Sequence, residues 1–525
     1  MELGFLDISV FALFFIIVVG TSMFKSRKEE TGEDYFLASR GLIWPIIGIS
    51  LIAANISSEQ FVGMSGQSAG NVGLAIASYE WMAAITLVFV AFFFLPRFLS
   101  SGIYTIPEFL QYRYNSTARS LMAFYTMAIY VGVTISAVIY SGAITINTIF
   151  DVNISASVWG IGIIAAIYTT YGGLKAVAWA DVFQGTALIL GGAIVLIFGL
   201  NAVGGFDSFF THNSDRLHMV LPADHPVLPW TALVIGLWIP NIYYWGLNQY
   251  ISQRTLAAKS LREGQRGIIF AAAIKIIIPF VIVFPGIMAA QLYSGSMKTT
   301  DAAYPLLIKN LIPNGLKGFM LAAIAGAVIS SLASMLNSAS TIFTLDLYKV
   351  YVKKDSSQKN LVFIGRVMTL LFVVLGCLIA PYLGDPKFQG IFTYIQEFQG
   401  YISPGILAAF VFGILVKKAP PVAGVVALLA CVPVYGFLQW QLGEIAFLNR
   451  MAITFGIILL LMTIITIIKP LKEPIELPKR TDIDLTPAPK LVWWGGAVIF
   501  ITLVLMLFSG KLRPYNKFTF YIVNI

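Results

Sequence analysis

Charge is what this sequence has least of. Only 11% of its 525 residues are Asp, Glu, Lys or Arg, against about 25% in soluble domains. A supply that sparse excludes a disordered chain and a nucleic-acid binder. With 58% hydrophobic residues, it also argues against a soluble enzyme, because no soluble core of this length hides so much apolar surface. Cysteine is nearly absent. Cys377 and Cys431 both lie in apolar runs, so there is no disulfide framework. No phosphate-binding loop, nucleophile elbow or paired-carboxylate motif occurs, which points away from ATP-driven transport and from catalysis. Long soluble insertions are missing too. The largest loop between apolar runs, 204–228, holds all three histidines, His212, His218 and His225. Their spacing fits no metal template and reads as a solvated loop. What remains is an all-α polytopic membrane protein.

Fourteen runs are long enough to cross about 30 Å of hydrocarbon as helices. They lie near 5–24, 43–70, 73–96, 120–147, 156–172, 179–203, 229–251, 264–292, 315–347, 361–383, 388–416, 421–441, 451–469 and 491–510. The first begins almost at Met1 without a basic flank, and Lys25, Arg27 and Lys28 follow it; it reads as a span rather than a cleaved signal. With the N-terminus outside, and charges at span ends counted with the adjoining loops, the inner side holds 24 of the 34 basic residues and the outer side 9, while Lys275 falls deep inside a span. The positive-inside rule therefore places both termini outside, in a plasma or bacterial inner membrane.

Function is expected where the membrane rules are broken. Span 2 is polar in its middle, from Asn55 to Gln60, and span 7 carries Pro240 and Asn241. Irregular backbone at this depth survives only where it lines a protein cavity. Spans 2 and 7 stand five apart, and five is odd, so the second copy enters from the opposite face. Matching breaks in two such halves mark inverted-repeat transporters; two ordinary kinked helices are the alternative.

Isolated charge is the second clue. Lys275 lies about 12 Å from the inner end of its span, too far to snorkel easily. Glu80 sits in Tyr79-Glu80-Trp81. Such residues are functional by default, with a partner expected, although a structural ion pair is the bland alternative. A donor, an acceptor, the amides of Asn55, Gln60 and Asn241, and the flat faces of Tyr79 and Trp245 suit a neutral polyhydroxyl ligand. The third clue is a hydroxyl stripe: Ser330, Ser334 and Ser338 share one helix face, with Ser331 beside it. It serves either close helix packing or an alkali cation, which wants oxygens.

These segments resemble the sodium/solute symporter family, and within it the bacterial sodium/galactose (glucose) symporters. The resemblance rests on SLIAANISSEQFVGMSG (50–66), GLAIASYEWM (73–82), GIYTIPEF (102–109), YGGLKAVAWADVFQ (171–184), NIYYWGLNQYISQRTLAAKS (241–260), SSLASMLNSASTIF (330–343) and YIQEFQGYISPGI (394–406). It implies a LeuT-like five-plus-five inverted repeat: an extra helix at 1–24, repeats at 43–203 and 229–416, peripheral helices at 421–510 and a tail at 511–525. It implies sodium-coupled uptake of a neutral hexose by alternating access, with no obligate protein partner. Sugar contacts would fall on Gln60, Glu80, Asn241 and Lys275, with Asn55, Tyr79, Trp245 and Gln396 nearby. Tyr244 would close the inner side, and Met64, Tyr130 and Phe392 the outer side. Sodium would sit among Ala53, Ile56, Ala327, Ser330 and Ser331, with Asp181 on its exit path.

Three departures bear on specificity. Ala83 stands where galactose symporters carry Ser, which bears on the preferred epimer. Ala333 replaces a hydroxyl of two-sodium members, which favours one sodium. Ala180 interrupts the usual WTD. The rivals are proton-coupled symport of another neutral solute, through Asp181 or Glu80, and a sugar sensor that does not transport.

Overall fold

The computed structural model describes residues 4–25, 37–171, 174–385, 390–480 and 483–511; the expected tail beyond 511 lies outside them. All regular secondary structure among the described residues is helical. In chain order the helices that build the bundle are α1 Phe5–Lys25, α2 Trp44–Asn55, α3 Gln60–Ala69, α4 Ser78–Phe93, α5 Ser116–Phe150, α6 Ile154–Tyr171, α7 Leu174–Val203, α8 Ala232–Leu247, α9 Gln249–Leu256, α10 Leu261–Tyr293, α11 Ala303–Leu311, α12 Leu316–Val352, α13 Gln358–Gly384, α14 Ile391–Gln399, α15 Ser403–Leu415, α16 Pro421–Gln441, α17 Phe447–Ile468 and α18 Leu491–Lys511.

Among the described residues eight helices are long and apolar enough to cross a membrane, and up to ten spans result when each of two bent pairs counts as one. Four shorter apolar helices, Phe5–Val18, Ile154–Ile167, Ala232–Leu247 and Leu491–Leu507, fall on four more of the fourteen runs. Burial sorts the helices into centre and rim. The most apolar window of α12 is 89% buried, while those of α13 and α17 are 33% and 22% buried. The centre is α2, α4, α7, α10 and α12, packed on one another. Gly48 and Gly267 allow α2 and α10 to cross closely, since a Cβ on Gly48 would stand 2.9 Å from the Gly267 carbonyl oxygen. α1 is pinned to the start of α12, where Asp7 accepts the amides of Gly315 at 2.7 Å and Gly318 at 2.8 Å. Trp440, Trp493 and Trp494 are exposed near helix ends, as interfacial anchors are.

The breaks differ from expectation in detail. Span 2 is broken as read: α2 ends at Asn55 and α3 leaves it at 56°. In span 7 the helix runs through Pro240, with wide turns at Ala232–Gly236 and Tyr243–Leu247. These turns accommodate the ring without a stop. The interruption lies further on, at Asn248, which is extended between α8 and α9. A further break was not anticipated. The run at 388–416 is two helices, α14 and α15, bent by 45°.

Candidate functional site

The two broken segments, α4 and α14 enclose a small cavity of about 40 Å³. It is lined by Asn55, Gln60, Tyr79, Glu80, Pro240, Asn241, Tyr244, Trp245, Phe392, Gln396 and Gln399. All the expected sugar contacts except Lys275 are on that wall. Lys275 stands directly behind it, wholly buried on α10. Its ammonium donates to the Asn55 side-chain oxygen and to the Glu80 carboxylate, and lies 4.9 Å from the Trp245 ring centroid. An ammonium this deep needs such partners. Glu80 lies 3% exposed in the first turn of α4, so cation and anion neutralise each other and the wall carries no net charge.

Three buried polar atoms on the wall have no hydrogen-bond partner: Gln60 Oε1, Gln396 Oε1 and the Tyr79 hydroxyl. Buried polar atoms are rarely left this way in a finished core. They come from α3, α14 and α4, so three independent elements present unmet hydrogen bonds to one space.

Aromatic side chains close the space. The Tyr244 hydroxyl accepts from Asn55 Nδ2 at 3.1 Å and from the Tyr250 hydroxyl at 2.6 Å. On the opposite side Phe392 meets Tyr79 edge-on, with ring centroids 4.9 Å apart, and Met64 is fully buried close by on α3. Tyr130 is tied to the Tyr244 group: its hydroxyl donates to Asn248 Oδ1 and accepts the Tyr250 amide at 3.1 Å. The turn it opens, Tyr130–Ile135, also packs on α14, which carries Phe392.

The cation candidates lie on the far face of the break. Ser57 donates its amide to the Asn55 carbonyl at 2.9 Å rather than to Ala53, four residues back. Gln60 donates to Ser57 at 3.0 Å rather than to Ile56. The carbonyls of Ala53 and Ile56 thus lose their usual donors. α2 packs on α12, where the Ser331 hydroxyl is buried without a partner. Freed carbonyls and an unpaired hydroxyl are the oxygen donors an alkali cation wants. The Ser330 hydroxyl donates to Asp181, and Ala327 lies one turn before Ser331 on the same helix.

Asp181 is held more tightly than the sequence suggested. It accepts from Ser50 Oγ at 2.5 Å and from Arg254 at 2.8 Å, and Arg254 also reaches Ser50 at 2.6 Å and Ser334 at 2.7 Å. Arg254, counted above as a loop residue, is 1% exposed, and Arg113 is buried as well, on the carbonyls that end α15. Lys275 is therefore not the only basic residue in the core. Proximity to the inner end of a span hid these arginines, because a guanidinium on a short helix reaches inward. Arg254→Met is expected to lower the thermal midpoint by the equivalent of about 3–5 kcal/mol, the usual penalty for stranding a buried charge. Arg254→Met with Asp181→Asn should recover much of that loss in a detergent melt. Sequence reading also missed Gln399, although Gln396 and Gln399 share a face at i, i+3. It missed Glu59 as well, 7% exposed in the break with Oε2 unpartnered; the signal was a charge inside the polar stretch of span 2. His225 Nδ1 accepts the amides of Val227 and Leu228 at 3.3 and 3.1 Å, a turn-forming role.

Broken helices around a polar cavity within a bundle of apolar spans are the architecture of a membrane transporter. The sequence profile of the sodium:solute symporter family matches residues 35–429, well over half the chain, and the chain belongs to that family. It is 43% identical over 483 residues to a sodium/glucose cotransporter of Vibrio parahaemolyticus, covering 86% of this chain and 88% of that one. It is 33% identical over 450 residues to the sodium/myo-inositol cotransporter 2 of Oryctolagus cuniculus, covering 79% and 66%. Its fold matches that of a Na+-coupled sialic acid symporter in a substrate-bound outward-open state, with TM-score 0.79 at 22% identity over 91% of this chain and 100% of that one. A nucleobase-cation-symport-1 family transporter in a closed conformation matches with TM-score 0.56 at 13% identity, covering 84% and 96%. These two similarities concern the fold alone, which is LeuT-like. Sodium is the ion the family uses.

Proposed function

We propose that this protein takes up a neutral hexose of the galactose or glucose type, driven by sodium, through alternating access. The observation that carries the reading is the set of three orphaned atoms, Gln60 Oε1, Gln396 Oε1 and the Tyr79 hydroxyl, on the wall of a cavity whose two charges cancel. A sugar supplies hydroxyls to each of them. An anionic solute lacks an uncompensated cation there, since Glu80 already offsets Lys275. The Vibrio relative named for sodium and glucose supports the same substrate class.

In this reading the chain has fourteen spans and both termini outside, in the inner membrane of a bacterium. The first repeat is 43–203 and the second 229–416, with 1–24 and 421–510 peripheral. Sodium takes the Ala53, Ile56 and Ala327 carbonyls and the Ser330 and Ser331 hydroxyls, and so braces α2 against α12. That fixes the geometry of the break, which carries Asn55 and Gln60 to the sugar. Asp181, relieved of Ser330, receives the ion on its way inward. The membrane potential adds about 2.3 kcal/mol per charge per 100 mV. A cavity of about 40 Å³ is far below the 300 Å³ or more of ligand pockets, so α14 and α4 must part to admit a hexose. Tyr244 and the Phe392–Tyr79 contact are the two gates, with Met64 beside Phe392 and Tyr130 bracing Tyr244.

The test is uptake of labelled galactose and glucose into proteoliposomes with a sodium gradient or an equal potassium gradient. Uptake with sodium alone is expected. Gln396→Leu should raise the sugar half-saturation about three- to tenfold, the worth of one hydrogen bond. Equal uptake in both salts would overturn the sodium coupling, and no hexose uptake by folded protein would overturn the substrate.

A further inference from the structure

One buried carboxylate near the gate has no part in the reading so far. Asp301 lies in the turn Thr300–Ala302 between α10 and α11, outside the membrane-spanning helices, and is 4% exposed. One of its oxygens accepts the Ile391 amide, the first residue of α14, at 3.3 Å. Its other oxygen is so close to two glycines that a Cβ on Gly66 or Gly390 would lie 3.1 or 3.3 Å from it. Gly390 has φ +91°, a conformation that glycine alone adopts easily. Beside this contact Gln67 Nε2 donates to Thr393 Oγ1 at 3.0 Å. The outer end of α3, the turn and the start of α14 therefore meet on one carboxylate. The residue after the bound amide is Phe392, whose Cβ would sit 3.0 Å from a Cβ on Gly63 of α3.

Nothing basic faces Asp301 among the described residues of the packed elements. α5 presents the Tyr140 phenol. α3 contributes Ser65, Gly66 and Gln67, none of them titratable. On α14 the Tyr394 hydroxyl donates to the Gly132 carbonyl, and Glu397 is paired with Arg450 at 2.6 Å. On α11 Lys309 turns to Asp151 at 3.6 Å and the Tyr304 hydroxyl to Val281. Lys298, nearby in the chain, is exposed. Burial pushes the Asp301 carboxyl up to about 7, against the opposing pull of the Ile391 amide.

We propose that Asp301 is the positioning residue of the outer gate, and that a proton on its carboxyl holds the gate shut. The proposal rests on the transport reading, in which α14 swings away from α3 to open the site. Opening exposes the carboxyl to water, where an aspartate titrates near 3.9. The shut form therefore binds the proton more tightly than the open form. Between about pH 4 and pH 7 each fall of one unit favours the shut form by up to tenfold. Above about pH 7 both forms are ionised and the dependence ends. The protonated group still accepts the Ile391 amide through its carbonyl oxygen, so closure needs no new contact.

The experiment reads the gate without a sugar. A reporter cysteine replaces Asn241 on the cavity wall, and a membrane-impermeant maleimide is applied from outside in sodium buffer between pH 5.5 and 8. Rates are divided by those for Ser296→Cys, an exposed position, which removes the thiol's own titration. The corrected rate is expected to rise at least about fivefold over that range. With Asp301→Asn it should stay low and flat, because the amide imitates the protonated acid. A flat corrected rate with Asp301 intact overturns the proposal, whether or not the Asn variant folds, and so does an Asn variant that keeps the pH response. Absence of hexose uptake would count against the substrate reading and leave this readout unchanged.

Discussion

Lys275→Ala is expected to cut sodium-driven hexose uptake about a hundredfold. Two charge-assisted hydrogen bonds end on that ammonium, to Asn55 and to Glu80, each worth about 1.5–3 kcal/mol. Removing it also strands the Glu80 carboxylate, 3% exposed, at a penalty of about 3–5 kcal/mol. A loss of uptake alone would not tell binding from folding. Lys275→Met with Glu80→Gln removes both charges and nearly keeps the volume. It should restore the thermal midpoint to within a few degrees while uptake stays at the level of empty vesicles. Recovery of uptake in the double variant would show that the pair is only structural. A pair of this kind often breaks even energetically against apolar residues, and its retention beside three unmet hydrogen-bonding atoms is what a binding role explains.

Ser331→Ala is the second large expected effect, and it separates function from stability more cleanly. The Ser331 hydroxyl is buried with no partner. Its removal breaks no hydrogen bond and leaves a small, helix-favouring side chain, so the thermal midpoint in potassium should not fall. An oxygen ligand to a cation is lost instead. The sodium half-saturation for uptake should rise about 10- to 100-fold, the equivalent of roughly 1.5–3 kcal/mol. The sugar dependence at saturating sodium should remain. An unchanged sodium curve would remove Ser331 from the ion's ligands.

Much of this was legible in the sequence because the membrane makes its rules strict. The scarcity of charge fixed the class. Polar residues from Asn55 to Gln60 pointed to a break, with an ordinary kink as the alternative, and Lys275 and Glu80, isolated in apolar runs, each called for a partner. The cavity gathers seven of the residues named from the sequence for the sugar, with Lys275 behind them. What escaped reading was geometry that composition does not encode. Pro240 is the obvious helix breaker, yet wide turns absorb it and the chain opens at Asn248. The bend between α14 and α15 falls at Gly400–Ile402, between the polar Gln396, Glu397 and Gln399 and the helix-starting Pro404, signals that hydropathy over the whole run averaged away. Arg254 looked like a loop cation because hydropathy gives a residue's depth and not its direction. Its guanidinium reaches inward to Asp181, Ser50 and Ser334. The partners of the Tyr130 hydroxyl, Asn248 and the Tyr250 amide, were likewise not legible.

The central claim is that sodium, by bracing the broken α2–α3 segment against α12, creates the sugar site. The most direct measurement is a titration of galactose and glucose into purified protein, followed by the fluorescence of Trp245, in sodium and in potassium at equal ionic strength. The account predicts sugar affinity at least about tenfold higher in sodium. Because coupling between sites is reciprocal, saturating sugar must raise sodium affinity by the same factor. Equal sugar affinity in the two salts would contradict the account, however well the protein folds.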